Sequence, residues 1–293
     1  MRRIHASTTT LLVAAAVVLA AALPAPAAST SGSGAAAPPP VRMHGAAGHW
    51  GFALFKGVDA ARVRKLMPPS FASWTLRGCK QKPTGEFDEM APGTADVVLV
   101  TKQDHLDTYP PNVEAAVTHL GIFTCANPPD DGREYRPAEN EFGPVEDRNY
   151  VQIAGWIDAP KHARLEARYG MQNHIATFAY VDDPASADHF GFTARDVDGR
   201  LIANTEFDAR LAPCLDVGHN LRLWHVGETG GVAAYDMYIP TGSLRACYGS
   251  ATTVRFDSGT VLDTLFDTPV AVANVAGTER SDDVTTTISK LFP

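Results

Sequence analysis

The sequence predicts a mainly β (α+β) fold, an antiparallel β-barrel or cone with a few peripheral helices. Three observations carry that prediction: short runs alternate apolar and polar residues, turn dipeptides such as Asp198-Gly199 and Gly230-Gly231 separate the runs, and helical segments are few and short. Strands do not alternate with helices, which excludes a doubly wound α/β architecture. Roughly 250 residues after the N-terminal region is an ordinary size for one barrel or sandwich, and a barrel of that kind can enclose a ligand cavity.

Residues 1–27 read as a signal peptide. Arg2, Arg3 and His5 make a positive start, Leu11 to Leu23 is almost purely apolar, and Ala25 and Ala27 supply an A-x-A cleavage site. The apolar run is shorter than the ~20 residues that span a bilayer. No later stop-transfer stretch follows, so no stable membrane span is expected after processing; a retained N-terminal anchor is the alternative. Residues 28–41 are rich in Ser, Gly, Ala and Pro, and they read as a disordered tether that cannot bury enough apolar surface to offset its ordering entropy. Residues 42–293 show no second linker and no internal repeat, so they are expected to form a single domain.

Within that domain, Asp59 is a natural N-cap for a helix from Ala60 to Met67, which Pro68-Pro69 stops. Asp158 is the expected cap of a second helix, Ala159 to Tyr169, with Pro160 in its first turn and Gly170 after its end. Thr260 to Phe266 is a third helix, and Pro184 to Asp188 a single turn. Strands are expected over Ala95–Val100, Val113–Cys125, Tyr150–Ile157, His174–Val181 and Ala251–Phe256, with a loop over Asn127–Arg148. Phe192–Val197 with Leu201–Phe207, and Leu221–Val226 with Val232–Ile239, read as hairpins.

The formal net charge is −8 and no basic stripe is visible, so nucleic acid is not an expected partner. Cys79, Cys125, Cys214 and Cys247 form no C-x-x-C. In an oxidising compartment they permit two disulfides. Cys79–Cys125 and Cys214–Cys247 is the favoured pairing because it keeps each bond within one half of the chain, with buried free thiols as the alternative.

Common catalytic motifs are absent: there is no G-x-S-x-G, H-E-x-x-H, Walker A sequence or G-x-G-x-x-G. His105 lies between Asp104 and Asp107, while His119, His174 and His225 fall in expected strands and could converge. Without any H-x-H or H-x-x-x-H spacing, no metal site is expected.

Several segments, taken in order, resemble one family. Gly57 to Pro69 is similar to the opening helix and leucine-proline-proline of the acetoacetate decarboxylase superfamily. Tyr109-Pro110-Pro111-Asn112-Val113-Glu114 resembles its tyrosine/glutamate strand, and Ile157-Asp158-Ala159-Pro160-Lys161-His162 its proline-lysine segment. Tyr248-Gly249-Ser250 through Leu265 resembles its last strand and turn. The resemblance implies a lyase that needs no cofactor and forms a Schiff base between Lys161 and a keto acid or related carbonyl compound. Glu114 would orient or protonate, and Tyr109, His162 and Trp156 would line the substrate site. The family pattern follows its nucleophile with a second lysine that lowers the pKa of the first; His162 stands at that position here. An amine nucleophile must lose its proton, which a first helical turn and a desolvated cavity would both assist. A solvated surface lysine is the other reading of Lys161. A non-catalytic small-molecule-binding β-barrel is the alternative function. Gly48-His49-Trp50 is similar to the G-x-W of lipocalins, and Trp74, Trp156 and Trp224 could line its cavity.

Overall fold

The computed structural model describes residues 39–79, 88–130, 139–183, 186–226, 232–250 and 252–290. The expected signal peptide, nearly all of the tether and the Gly230-Gly231 turn lie outside the described residues. Strand β1 (Val41–Asp59) leads into helix α1 (Ala60–Leu66), a 3-10 turn at Pro69–Phe71 and β2 (Thr75–Leu76). Then come β3 (Thr94–Thr108), β4 (Ala116–Asn127), the small hairpin β5 (Glu139–Asn140) and β6 (Gly143–Pro144), β7 (Glu146–Ile157) and α2 (Pro160–Ala167). The second half holds β8 (His174–Asp183), β9 (Ser186–Asp196), β10 (Leu201–Asp208), β11 (Cys214–Val226) and β12 (Val232–Ser250). It ends with β13 (Thr253–Arg255), α3 (Val261–Leu265), β14 (Val270–Val272), β15 (Val275–Ser281) and β16 (Val284–Lys290).

The fold is mainly β. Its large sheet closes in a ring, β1-β3-β4-β7-β11-β12-β15 and back to β1, with β16 pairing β1 and β12 beyond the end of β15. From β7 the sheet continues through β8, β9, β10, β13 and β14, which fold over the outside of the ring. Pairing is antiparallel as expected, except that β7 runs parallel to both β8 and β11.

The ring wall buries both faces. Trp50, Leu54, Val98, Val100 and Phe123 point one way, while Ala53, Phe55, Val97, Leu99 and Ile122 point the other. Two buried faces explain why Ala95–Val100 reads as a continuous apolar run rather than an alternating one. The outward set packs on Phe190, Phe192 and Phe207 of the second layer and on Val63 of α1. Gly51 lets that layer come close, since a Cβ there would stand 2.5 Å from the Phe207 ring.

The helices follow their capping signals, with one exchange. Asp59 accepts from the Ala61 N–H at 2.7 Å and starts α1. Thr260 caps α3. Asp158 does not cap α2: its carboxylate accepts from the Thr118 N–H at 2.8 Å, pinning β4 instead. The hairpins β9–β10, with Gly199 at φ 80, and β11–β12 form as expected. Other expectations are corrected. Residues 186–188 of the expected helical turn begin β9, while 184 and 185 lie outside the described residues. The expected loop over 127–148 contains β5 and β6, and β4 starts at Ala116 rather than Val113.

Both expected disulfides are present. Cys214 and Cys247 are cross-strand partners on β11 and β12, and Cys79–Cys125 ties the segment after β2 to β4. No helix among the described residues is long and apolar enough to cross a membrane. The loops that the bonds close have sequence separations of 46 and 33 residues. Reduction is therefore expected to lower unfolding free energy by about 2–4 kcal/mol per bond. Urea denaturation with and without reductant checks this; an unchanged midpoint contradicts it.

Candidate functional site

Inside the ring lies a cavity of about 630 Å³, lined largely by apolar side chains. One row across the sheet supplies its polar wall. The register sets Trp50 of β1 against Lys102 of β3, and Lys102 against His119 of β4. Cross-strand partners share a face, so all three stand on the cavity wall.

Lys102 is buried, with its ammonium 2.6 Å from the Asp104 carboxylate and 3.2 Å from the Tyr235 hydroxyl, to which it donates. The Trp50 indole N–H donates to the other Asp104 oxygen at 3.1 Å, and the ammonium lies 5.5 Å from the centre of the Trp50 ring. Burial works against the charge on Lys102, but Asp104 and Tyr235 outweigh it and raise the pKa above the ordinary lysine value. Lys102 is therefore a fixed cation. Burial also pushes the Tyr235 phenol up, keeping its proton in place.

Helix α2 brings a second group. His162 and Glu166 are one turn apart, on one helix face, and both are buried. The His162 Nε2 and Glu166 Oε1 atoms are 3.4 Å apart but not aligned as a hydrogen bond. His119 meets His162 edge-on, with ring centroids 5.5 Å apart. One ligand-capable atom from each of His119, His162 and Glu166 lies within 4.8 Å of the others. Glu166 Oε2 accepts from the Asn173 side-chain amide at 2.6 Å, and Asn173 Oδ1 accepts from Gln152 at 3.0 Å. Buried His225 of β11 lines the same cavity and feels both Glu166 and His119. Burial holds His119 and His225 down to about 4, so both are neutral near pH ~7. Burial alone would raise Glu166, but His119, His162 and Asn173 outweigh it and keep a carboxylate.

The aim of α2 depends on Glu114. Ala159 occupies the N-cap position and offers no side-chain acceptor. Glu114 supplies both oxygens from the segment before β4, accepting from the Lys161 N–H at 3.0 Å and the His162 N–H at 2.9 Å. Burial opposes the Glu114 charge; the backbone donors prevail and lower its pKa.

The expected site residues separate in space. His162 reaches the buried cluster. Glu114 acts on the helix backbone and does not line the cavity. Lys161 is exposed at the start of α2 and is not on the cavity wall. Successive helix positions turn by about 100°, so facing His162 and Glu166 inward turns Lys161 outward. Tyr109 is 39% exposed, and Trp156 is packed in the main core near His174. Trp74 and Trp224 meet edge-on in that core, 5.6 Å apart, leaving Trp50 as the tryptophan of the cavity. Sequence reasoning missed Lys102 and Tyr235. It also missed Glu166, although His162-x-x-x-Glu166 is the i, i+4 spacing that carries it. A ligand-capable cluster forms here because the donors come from a strand and a helix together, which no spacing within one element displays.

No family model matches the sequence, and no curated protein matches it. Among solved structures, acetoacetate decarboxylase from Legionella pneumophila subsp. pneumophila str. Philadelphia 1 is similar, with TM-score 0.53 and 10% identity over 88% of this chain and 89% of that one. The enduracididine biosynthesis enzyme MppR complexed with pyruvate has TM-score 0.51 and 16% identity over 89% and 92%. MppR with HEPES buffer bound gives TM-score 0.51 and 15% identity over 87% of both chains. The chain has the acetoacetate-decarboxylase-like fold. The likeness is one of architecture and supports the resemblance read from the sequence.

Glu114→Ala is expected to cost about 1–2 kcal/mol, the scale of a lost helix cap. Thermal denaturation measures the loss, and the His162 ring resonances should shift with it. A variant as stable as the parent, with those resonances unmoved, would remove Glu114 from this role.

Proposed function

We propose that the protein is exported and that its cavity binds a small carbonyl compound of the keto-acid class for carbon–carbon lyase chemistry. The leader-like first 27 residues and the two disulfides support the extracytoplasmic part. One observation carries the rest: among the described residues, Lys102 is the one Lys or Arg side chain on the cavity wall, and the Tyr235 hydroxyl stands beside it. Most of the rest of the wall is apolar and suits a short hydrocarbon group, while Gln152, Glu166, Asn173 and Glu279 add further polar positions. MppR, of the same fold, is complexed with pyruvate in one of the similar structures, which supports the ligand class.

In this reading the carbonyl oxygen faces the Lys102 ammonium and the Tyr235 O–H. When the bond to a β-carboxylate breaks, its electron pair moves through the α-carbon onto that oxygen, and carbon dioxide leaves. The cation and the phenol stabilise the enolate, which then takes a proton from water at carbon. A preorganised charge of this kind acts strongly where water is excluded. The ion pair with Asp104 keeps Lys102 protonated, so the amine serves as a cation rather than as a nucleophile.

Lys102→Met alone leaves Asp104 buried and unpaired, and is expected to cost about 3–5 kcal/mol of stability. The double variant Lys102→Met/Asp104→Asn carries no stranded charge and should recover most of that loss. By calorimetry with a panel of keto acids, it should bind at least about tenfold more weakly, or ~1.4 kcal/mol, while Lys161→Ala binds like the parent. Borohydride added with the keto acid should trap no lysine adduct. An adduct mapped to Lys161 by mass spectrometry would overturn this reading in favour of the imine route.

A further inference from the structure

We propose that His119, His162 and Glu166 form a binding site for one divalent first-row metal ion of the zinc class, with His225 beside them. The reading of the cavity ligand is not needed for this inference; the side chains alone carry it.

The donor set is built and incompletely satisfied. Among the described residues, neither ring nitrogen of His162 has a hydrogen-bond partner, nor have His119 Nε2, Glu166 Oε1 and His225 Nε2. His162 is 1% exposed, Glu166 0% and His225 4%. Buried polar atoms are ordinarily paired, so several unpaired ones converging on one place call for a common partner. A proton shared between His162 and Glu166 would satisfy one contact, but their 3.4 Å approach lacks hydrogen-bond alignment.

The geometry suits a small cation. The three donor atoms lie at most 4.8 Å apart. Zinc bonds of ~2.0–2.1 Å in a tetrahedron require donors separated by ~3.4 Å, so closure needs a side-chain shift of about an ångström. Imidazole nitrogen with one carboxylate oxygen suits zinc and its neighbours better than magnesium or calcium, which take oxygen sets. Outer contacts are present too. Asn173, held by Gln152, fixes Glu166 Oε2 and leaves Oε1 toward the histidines, as second-layer hydrogen bonds do at metal centres.

Two histidines and a glutamate also match the open type of zinc site, in which three protein ligands leave a position for an exchangeable oxygen. His119, Glu166 and His225 line the cavity, so that position faces it. The site would take a carbonyl, carboxylate or water oxygen there and place a Lewis acid on the cavity wall, beside the row that carries Lys102.

The test uses the full chain, stripped with chelator and titrated with Zn²⁺ against a chromophoric competitor, then with Co²⁺ by visible spectroscopy. The expected result is one equivalent per chain, a rise in Tm with zinc, and Co²⁺ bands of a low-coordinate nitrogen/oxygen site. Second-layer losses cost about 10–100-fold in metal affinity, so Asn173→Ala should weaken binding by that much and His162→Ala or Glu166→Gln by more. His44→Ala is the control; it removes the surface histidine between Asp107 and Asp283 and should retain the full equivalent. No stoichiometric binding, parent-like affinity in Glu166→Gln and His162→Ala, or loss of the equivalent in His44→Ala would each overturn the site. Should a ligand variant not fold, histidine NMR of the parent decides: zinc must shift the His119 and His162 ring signals, and binding that leaves them unmoved overturns the site.

Discussion

Closure of the ring depends on the two edges of β1. One edge pairs with β3 over most of its length, from His44 opposite Thr108 to Asp59 opposite Thr94. The other is shared: Val41–Gly45 pairs with β16 and Gly48–Leu54 with β15. A closed ring gives both edges of β1 strand partners instead of leaving one exposed. It also separates two environments, because alternate β1 residues face the cavity and the outer layer. A slip of one residue would send Phe55 inward and Trp50 outward. The register is thus held from both sides, and the row Trp50, Lys102 and His119 exists because of it.

That strand is where the sequence is hardest to read. Gly45, Ala46, Ala47, Gly48 and Gly51 give β1 a composition poor in strand formers, and irregularities interrupt its pairing near Gly45 and Val58. Its strand character comes from three partners, two of them at the far end of the chain, and no local window contains them. The short β14 and β16 went unread as well, although the Val-Thr-Thr-Thr-Ile run of β16 is rich in β-branched strand formers. By contrast, Asp198-Gly199 and the Leu221–Ile239 pair announced their hairpins, because a hairpin's partners lie within one window. Asp59 and Thr260 announced their helices for the same reason.

The site divides along the same line. The segment around Pro160 was recognisable, and its His162 lies buried beside His119 and Glu166 rather than on the cavity wall. What the sequence withheld was rotation: which of two adjacent residues, Lys161 or His162, faces inward. Glu114 decides that by holding two backbone N–H groups of α2 from a distant segment. Lys102 gave little local sign, since Lys-Gln-Asp within a strand reads as solvated polar surface. Its neighbours Trp50 and Tyr235 lie on strands that meet it only in the ring. The Lys102-x-Asp104 spacing, two residues on one strand face, was the signal available for the buried pair.

The pairing of Val41 with Ile288 has a kinetic meaning. The β9–β10 and β11–β12 hairpins need only nearby chain, and their formation carries little loop-closure entropy. The seam at β1 needs both ends of the domain, and contacts of such long sequence separation are intrinsically slow to form. Until then the cavity has no wall on that side, and the polar row on β3 and β4 stands open to water. The cavity wall is therefore completed only when the two ends of the domain meet, and a deletion reaching Val41–Gly45 or Val284–Ile288 would open the same seam.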